Sequence, residues 1–496
     1  MAEPTGTKTL SDLGLRAVGG QEAAITGLAI DSRLVKPGHL FAALPGTQVH
    51  GGEFIQYALR MGAGAILTDP HGAALAKDEL AAANVPLVLA EDPRQALAGA
   101  AALWFEFQPE FMVAVTGTNG KTSVSTFVRQ LWTEMGITAA NLGTTGVEGA
   151  YQAPLAHTTP EPILLHRLLA DMAEAGVTHC AMEASSHGLA QRRLDGVFLT
   201  AAGFTNFTQD HLDYHETFEN YFNAKMGLFR RVLGDDAAAV INIMDPKGEE
   251  VVQIAKQRGQ KVIMVGTRSD CHLRLTGHRY DNTGQDIRFE WLGDAYQARI
   301  GLVGGFQVEN ALLAAGLVIA CGAEPDQVFQ ALPALTTVRG RMQLAATREN
   351  GAPVFVDYAH TPDAVQSALQ AMRPHVMGRL IVVLGAGGDR DPGKRILMGQ
   401  AAAENADLVF VTDDNPRSED PAHIRSMVMQ GCPEAYEVGD RAEAILRAVD
   451  ALGAGDALLI AGKGHETGQI VGDDVLPFDD AEQASVAVAA LEGRLT

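Results

Sequence analysis

Val113-Ala-Val-Thr-Gly-Thr-Asn-Gly-Lys-Thr122 is an apolar run that breaks into Gly-x-x-Gly-Lys-Thr and continues as the helix-like stretch SVSTFVRQLW. Strand, glycine loop and helix in that order suit the capture of phosphate oxygens at the end of a parallel strand. The glycines let backbone N–H groups come close, the helix N-terminus favours anions, Lys121 neutralises charge and Thr122 can ligate magnesium. Gly117, Thr118, Asn119, Gly120, Lys121 and Thr122 are therefore candidate phosphate-binding residues. Val115 stands where the usual P-loop carries its first glycine, so the loop is a variant and a different nucleotide family stays open.

Working outward, strand and helix signals alternate through NLGTTG, THCAMEAS, VFLTAAGFTNF, AAAVINIMD and KVIMVG, which predicts a parallel sheet with crossover helices. Residues 271–302 read instead as antiparallel hairpins, a β excursion followed by an alanine-rich helix from Val308 to Cys321. Upstream, ITGLAIDSR, GHLFAALPG, GAGAILTDP and VPLVLAEDP predict a small α/β unit. Downstream, PVFVDY, RLIVVLGAGG, DLVFVTDD and ALLIAGKG predict a doubly wound, Rossmann-like domain. At roughly 100 to 200 residues per domain, a chain of 496 residues should form about three. The expected boundaries are 1–95, 96–336 and 337–496, all of the α/β class.

Apolar residues at 47% and charged residues at 20% supply ample cores. Lys plus Arg number 38 against 60 Asp plus Glu, a formal charge of -22, which repels nucleic acid and anionic membrane surfaces. Any anion must then be captured by local devices. Cys180, Cys271, Cys321 and Cys432 are widely spaced, with neither a CxxC pair nor disulfide density, and suit a reducing compartment. MAEPTGTKTL lacks a signal pattern, and the apolar run Ala311 to Ala323 is too short to span a bilayer, so a cytoplasmic location without membrane insertion is expected.

Two further clusters carry chemistry. In Met182-Glu-Ala-Ser-Ser-His-Gly188, Glu183 ends a strand and can hold magnesium; alternatively it is a polar edge residue and Ser185 and Ser186 cap the next helix. In Thr205-Asn-Phe-Thr-Gln-Asp-His-Leu-Asp-Tyr-His215, His211 and His215 should share a helix face, yet no HExxH or cysteine ligand accompanies them, which disfavours zinc. Lys225 sits in an apolar and aromatic helix, where a lysine normally snorkels to the surface. In the third domain all four strands run into polar loops: Asp357-Tyr-Ala-His360, Gly385-Ala-Gly-Gly-Asp-Arg390, Asp413-Asp-Asn-Pro-Arg417 and Gly462-Lys-Gly-His-Glu466. In open parallel sheets ligands bind beyond such carboxyl ends, so these loops should converge on one edge.

In this order and over nearly the whole chain, GTNGKT, MEASSHGL, TNFTQDHLDYH, the Lys225 helix, GFQVENALLA, VRGRMQ, DYAHTPDA, GAGGDRDPGKR, DNPR and GKGHE resemble the Mur ligases. The resemblance is closest to the members that add diaminopimelate. It implies three domains that bind, in order, a UDP-sugar peptide, ATP and the incoming amino acid. The implied activity is ATP-dependent addition of meso-diaminopimelate to UDP-N-acetylmuramoyl-L-alanyl-D-glutamate (UDP-MurNAc-L-Ala-D-Glu) through an acyl phosphate, by a monomer.

The resemblance also implies roles. Gly117 to Thr122 would hold the ATP phosphates, Asn310 the adenine, and Arg341 with Asp357 the ribose and phosphate side. Thr122, Glu183 and His211 would surround magnesium, with Lys225 joining them as a carbamate formed from carbon dioxide. Lys121, Glu183, His211, Lys225 and His360 form the implied catalytic set. Ser32 in IDSR, Thr47, Gln48, Thr158, Thr159, Ser185, Gln191 and Arg193 would grip the UDP-sugar peptide. Arg390, Asp414, Asn415, Pro416, Arg417, Gly462 and Glu466 would hold diaminopimelate, with Arg417 as the cationic fork for its distal carboxylate and Glu466 facing the distal ammonium. His157 departs from the asparagine that many relatives place before the Thr-Thr pair. Folylpolyglutamate synthetase shares the phosphate loop but needs neither IDSR nor DNPR, and DNPR also disfavours a lysine-adding ligase. A decayed nucleotide-binding scaffold is disfavoured by the intact Lys121, Glu183, His211 and Lys225.

Overall fold

Four short runs near the N-terminus form parallel strands β1 (Gly27–Ala29), β2 (His39–Ala43), β3 (Ala65–Thr68) and β4 (Leu87–Leu89), paired in sequence order. Every residue of β2 and β3 is buried, as expected for strands covered on both faces. The computed structural model describes residues 6–494 except 47–48, 209–211 and 282.

The second sheet contains β5 (Phe111–Thr116), β6 (Ala139–Gly143), β7 (Gly146–Gly149), β8 (His179–Glu183), β9 (Ala201–Phe204), β10 (Ala238–Asn242) and β11 (Lys261–Gly266). Over residues 111–266 the order is β11-β10-β9-β5-β8-β6-β7, parallel except for the edge strand β7. Because β5 lies between β8 and β9, with Val115 opposite both Glu183 and Gly203, three strand ends stand side by side. The helix Lys121–Glu134 leaves the first of these ends and buries Val124, Phe127, Val128, Leu131 and Trp132. Each such side chain removed from water contributes about 1.5 to 3 kcal/mol. Both sheets belong to one compact unit, Met1–His272 with Leu313–Val328.

The second unit comprises Leu273–Leu312 and Phe329–Thr496. The expected hairpins appear as an antiparallel meander of β12 (Leu273–Asp281), β13 (Gly284–Trp291) and β14 (Asp294–Ile300). A six-stranded sheet follows from β15 (Gln343–Thr347), β16 (Pro353–Asp357), β17 (Leu380–Leu384), β18 (Leu408–Val411), β19 (Tyr436–Glu437) and β20 (Ala457–Ala461). Its order, β15-β16-β20-β17-β18-β19, is parallel apart from β15. The last strand in sequence thus lies between the two that begin the parallel part, the kind of switch that opens a crevice at the carboxyl ends. A two-stranded hairpin of β21 (Gly468–Val471) and β22 (Asp474–Pro477) follows β20.

On the flank of this sheet, helices Gly393–Asn405 and Pro421–Gly431 meet backbone to backbone. A Cβ added at Gly399 would lie 2.1 Å from the Val428 carbonyl oxygen, and one added at Gly431 would lie 2.1 Å from that of Ile396. The mixed α/β class with parallel sheets is the one the strand and helix alternation predicts. No helix among the described residues is long and apolar enough to cross a membrane.

Candidate active site

In the first unit the loop after β5 turns at Gly117, where φ is 148° and an added Cβ would come 1.8 Å from Thr205 Oγ1. No side chain fits there, which explains the glycine. The loop is sewn to the segment after β9: Thr118 N donates to Asn206 O at 2.9 Å, and Asn119 N to Asn206 Oδ1 at 2.9 Å. Lys121 Nζ donates back to the Gly117 and Thr118 carbonyls at 3.0 and 2.8 Å, keeping its charge at the start of helix Lys121–Glu134. Thr122 is buried in that first turn.

Lys225, which the helix pattern alone reads as a snorkelling lysine, is 1% exposed. Its ammonium donates to the Gly117 carbonyl at 2.6 Å and lies 4.5 Å from the centre of the Tyr221 ring. Helix Phe218–Gly227 therefore directs this lysine into the phosphate loop rather than toward water.

Glu183, at the end of β8, is equally buried. Its carboxylate accepts from the Thr144 N–H at 2.8 Å and from the Thr144 hydroxyl at 3.2 Å. Thr158 Oγ1 lies 3.0 Å from that hydroxyl, and Thr159 Oγ1 donates to the Glu183 carbonyl at 2.9 Å. Ser185 caps the next helix, accepting from Gly188 N at 3.0 Å. Arg193 donates to Gln191 Oε1 at 2.8 Å and to the Thr159 carbonyl, and burial lowers the pKa of its guanidinium. Thr158, Thr159, Ser185, Gln191 and Arg193 thus form one polar wall beside Glu183. Ser32 is buried in the turn Ser32–Leu34 after β1, whose preceding Asp31 accepts from Arg33 N at 2.9 Å. Thr47, Gln48 and His211 lie outside the described residues.

In the second unit the four polar loops meet. Gly462 N donates to the Asp357 carbonyl at 3.1 Å, Gly388 N to that of Asn415 at 2.9 Å, and Asn415 Nδ2 to Glu466 Oε2 at 2.9 Å. Asp357 accepts from Met342 N at 2.7 Å and Ala359 N at 2.9 Å; burial raises its pKa against these bonds and the Arg341 charge. Arg341 stacks over Tyr358, 4.5 Å from the ring centre. His360 is exposed, with Nδ1 donating to the Tyr358 carbonyl at 2.8 Å. Burial first, then the charges of Arg341 and Arg339, push His465 down to about 4, so its ring is neutral near pH 7.

Arg417 adopts a left-handed φ of 52° and donates through Nη1 to the Gly388 carbonyl at 2.7 Å. Pro416 lies against Gly388, whose added Cβ would come 1.9 Å from its carbonyl oxygen. Asp414 is buried beside Gly462, while Arg390 is exposed. Asn310, in the same unit, is buried, 3.5 Å from Gln307 Oε1.

Residues 24–104 match the Mur ligase family, catalytic domain; residues 115–318 match the Mur ligase middle domain; and residues 340–464 match the Mur ligase, glutamate ligase domain. The chain belongs to the Mur ligase family. It is 48% identical to a UDP-N-acetylmuramoyl-L-alanyl-D-glutamate--2,6-diaminopimelate ligase of Bradyrhizobium diazoefficiens, covering 96% of this chain and 99% of that one. A ligase of the same name from a Chelativorans species is 48% identical over 94% of this chain and 95% of its own. A solved structure of a ligase of that name superposes with a TM-score of 0.73 at 33% identity, over 98% of this chain and 99% of the other.

Within this Mur ligase several structural residues escaped the sequence reading. Thr144 and Asn206 hold Glu183 and the phosphate loop, yet neither type in a turn signals such a role. Lys463, inside the quoted GKGHE loop, is 0% exposed and joins that loop to Asn415. Arg441 and Asp480 form a fully buried bidentate pair, both bonds 2.7 Å, and Arg441 also donates to the carbonyls of Ala461, just before one loop, and Asp413, which begins another. In the first unit Thr122 offers a hydroxyl and Glu183 a carboxylate, and no group of three or more His, Cys, Asp or Glu is placed to hold a metal ion among the described residues. Such oxygen donors fit magnesium, a hard cation, and not zinc.

Proposed function

We propose that the chain is an ATP-dependent ligase joining an amino group of meso-diaminopimelate to the D-glutamate γ-carboxylate of UDP-MurNAc-L-Ala-D-Glu, in cytoplasmic peptidoglycan precursor synthesis. The observation that carries this reading is the opposed charge at one sheet edge, Glu466 hydrogen-bonded to Asn415 in the loop that ends in Arg417. The far end of diaminopimelate carries both an ammonium and a carboxylate, so it needs an anion and a cationic fork together. The names of relatives at 48% identity support the same choice. In this reading residues 1–95 bind the UDP-sugar peptide, 96–336 bind ATP and 337–496 bind the amino acid.

The chemistry follows from the poor electrophilicity of a carboxylate. A γ-carboxylate oxygen attacks the ATP γ-phosphorus, the bond to the leaving ADP oxygen breaks, and an acyl phosphate results. The amine nitrogen then attacks the acyl carbon, loses a proton and expels inorganic phosphate. Lys121 and the loop Gly117 to Thr122 meet the phosphates, because phosphoryl transfer depends on positioning and charge neutralisation. Thr122, Glu183 and His211 would hold magnesium, which would supply further charge neutralisation. Once its ammonium has lost a proton, the Lys225 amine would add carbon dioxide through a new N–C bond as one C=O π bond opens and a second proton leaves, giving an anionic ligand. Asn310, Arg341 and Asp357 hold the nucleoside side of ATP, with His360 beside them. Ser32, Thr47, Gln48, Thr158, Thr159, Ser185, Gln191 and Arg193 hold the UDP-sugar peptide, and Arg390, Asp414, Asn415, Pro416, Arg417, Gly462 and Glu466 the amino acid.

The test is phosphate release with ATP, UDP-MurNAc-L-Ala-D-Glu and either meso-diaminopimelate or lysine. Release should depend on all three substrates and strongly favour diaminopimelate, since Arg417 would otherwise be left without its carboxylate. A comparable rate with lysine contradicts the diaminopimelate assignment.

A further inference from the structure

Lys463 is among the largest fully buried side chains of the protein, with 0% exposure. A lysine ammonium removed from water is costly unless it is paired and hydrogen-bonded, and here both its side-chain partners belong to the proposed amino-acid site. Nζ donates to Asn415 Oδ1 at 3.1 Å, to Glu466 Oε2 at 3.2 Å and to the Gly468 carbonyl. Asn415 closes the triangle through Nδ2, which donates to the same Glu466 oxygen at 2.9 Å, while its Oδ1 also accepts from Ile470 N at 2.9 Å.

Two loops and a hairpin thus meet on one ammonium. The loop Asp413–Arg417 contributes Asn415, the loop after β20 contributes Glu466, and β21 contributes Gly468 and Ile470. Both side-chain bonds to Glu466 among the described residues fall on Oε2, which leaves Oε1 available to an ammonium group. Glu466 itself is about one-third exposed, so without these ties its rotamers would spread into solvent.

We propose that Lys463 is a positioning residue for amino-acid selection: it fixes the Asn415 amide and the Glu466 carboxylate as a single preorganised receptor for the distal ammonium of the amino acid. The inference rests on the function proposed above and deepens it. Lys463 acts through Glu466 and need not touch the amino acid.

The test is steady-state kinetics of the full chain with Lys463→Met, which keeps the length of the side chain and removes its charge, alone and combined with Glu466→Gln. Lys463→Gln, which keeps a buried N–H donor, serves if the methionine variant does not fold. Losing a hydrogen-bonded charge from a desolvated site costs at least tenfold. The KM for diaminopimelate should therefore rise by about that factor or more in Lys463→Met, with the KM values for ATP and the UDP-sugar peptide within about twofold of wild type. In the Glu466→Gln background the same change should add less than about threefold, because the group it positions is already altered. An unchanged diaminopimelate KM, an equal rise in all three KM values, or full additivity with Glu466→Gln overturns the inference alone. A wild type that ligates no amino acid removes the proposed function, and this inference with it.

Discussion

Lys225 combines full burial with a head group set against a backbone carbonyl and an aromatic face. The proposed carbamate would require the Gly117 contact to be given up. Lys225→Ala is expected to fold and to lose nearly all turnover, and carbon-13 NMR under labelled carbon dioxide should give a carbamate signal in the wild type that the variant lacks. Turnover of the variant above about a tenth of wild type would contradict the role, since charge stabilisation of a transferring phosphoryl group is worth several kcal/mol. A second residue-scale expectation concerns Glu419, held by buried Arg395 through bonds of 2.9 and 2.7 Å and accepting from Asp389 N. The Arg395 bonds first, then the Asp389 N–H, lower its pKa from 4.5 to about 2. A carboxyl that titrates lower in the folded state stabilises fully above its unfolded value and loses that contribution as pH falls toward the folded one. The difference in denaturation midpoint between wild type and Glu419→Gln should be constant above pH 4.5 and vanish as pH approaches 2. A difference independent of pH would show that the tie acts by shape alone.

At the scale of elements, the helices Gly393–Asn405 and Pro421–Gly431 follow directly after the loops that carry Arg390 and Arg417, so their separation sets where those loops begin. Gly399 and Gly431 allow backbone contact, and any side chain there must push the helices apart. Gly399→Val should destabilise the second unit by about 1 to 3 kcal/mol, as overpacking does, and raise the KM for diaminopimelate while leaving that for ATP near wild type. Unchanged thermal stability would show that the crossing can yield. The strands β16, β17, β18 and β20 were legible because each is a short run of apolar residues ending abruptly in Asp or Gly. β15 was not, because Gln343–Thr347 is an edge strand with a bulge whose alanines carry little strand preference. The hairpin of β21 and β22 was missed for a related reason: its outer strand is wholly exposed and polar at its start, so no buried face marks it. Chemistry was legible where it follows from local order, as in GTNGKT, and illegible where it follows from distant contact. Lys225 reads as a surface lysine until its nitrogen is seen to meet a carbonyl 108 positions away. Lys463 likewise has no signal in its own loop, since its partner Asn415 comes from another strand end.

At the scale of the whole molecule, the chain carries a formal charge of -22, yet the proposed function requires it to collect two polyanions, ATP and a UDP-sugar peptide. Capture must then be local: Lys121 and the helix N-terminus at Lys121–Glu134 attract phosphate over a few ångströms, while the summed field repels it from farther out. Salt separates the two ranges. At about 10 mM ionic strength the screening length is about 30 Å, and an approaching nucleotide feels the net charge; at about 150 mM it is about 8 Å, and mainly the loop is felt. Raising salt across that interval should therefore raise kcat/KM for ATP by about twofold or more, at constant free magnesium, and leave kcat at saturation nearly unchanged. This is opposite in sign to an electrostatically steered enzyme. The measurement is phosphate release at subsaturating ATP over a potassium chloride series. A monotonic fall in kcat/KM from the lowest salt would mean that the cationic loop, rather than the acidic whole, governs the encounter.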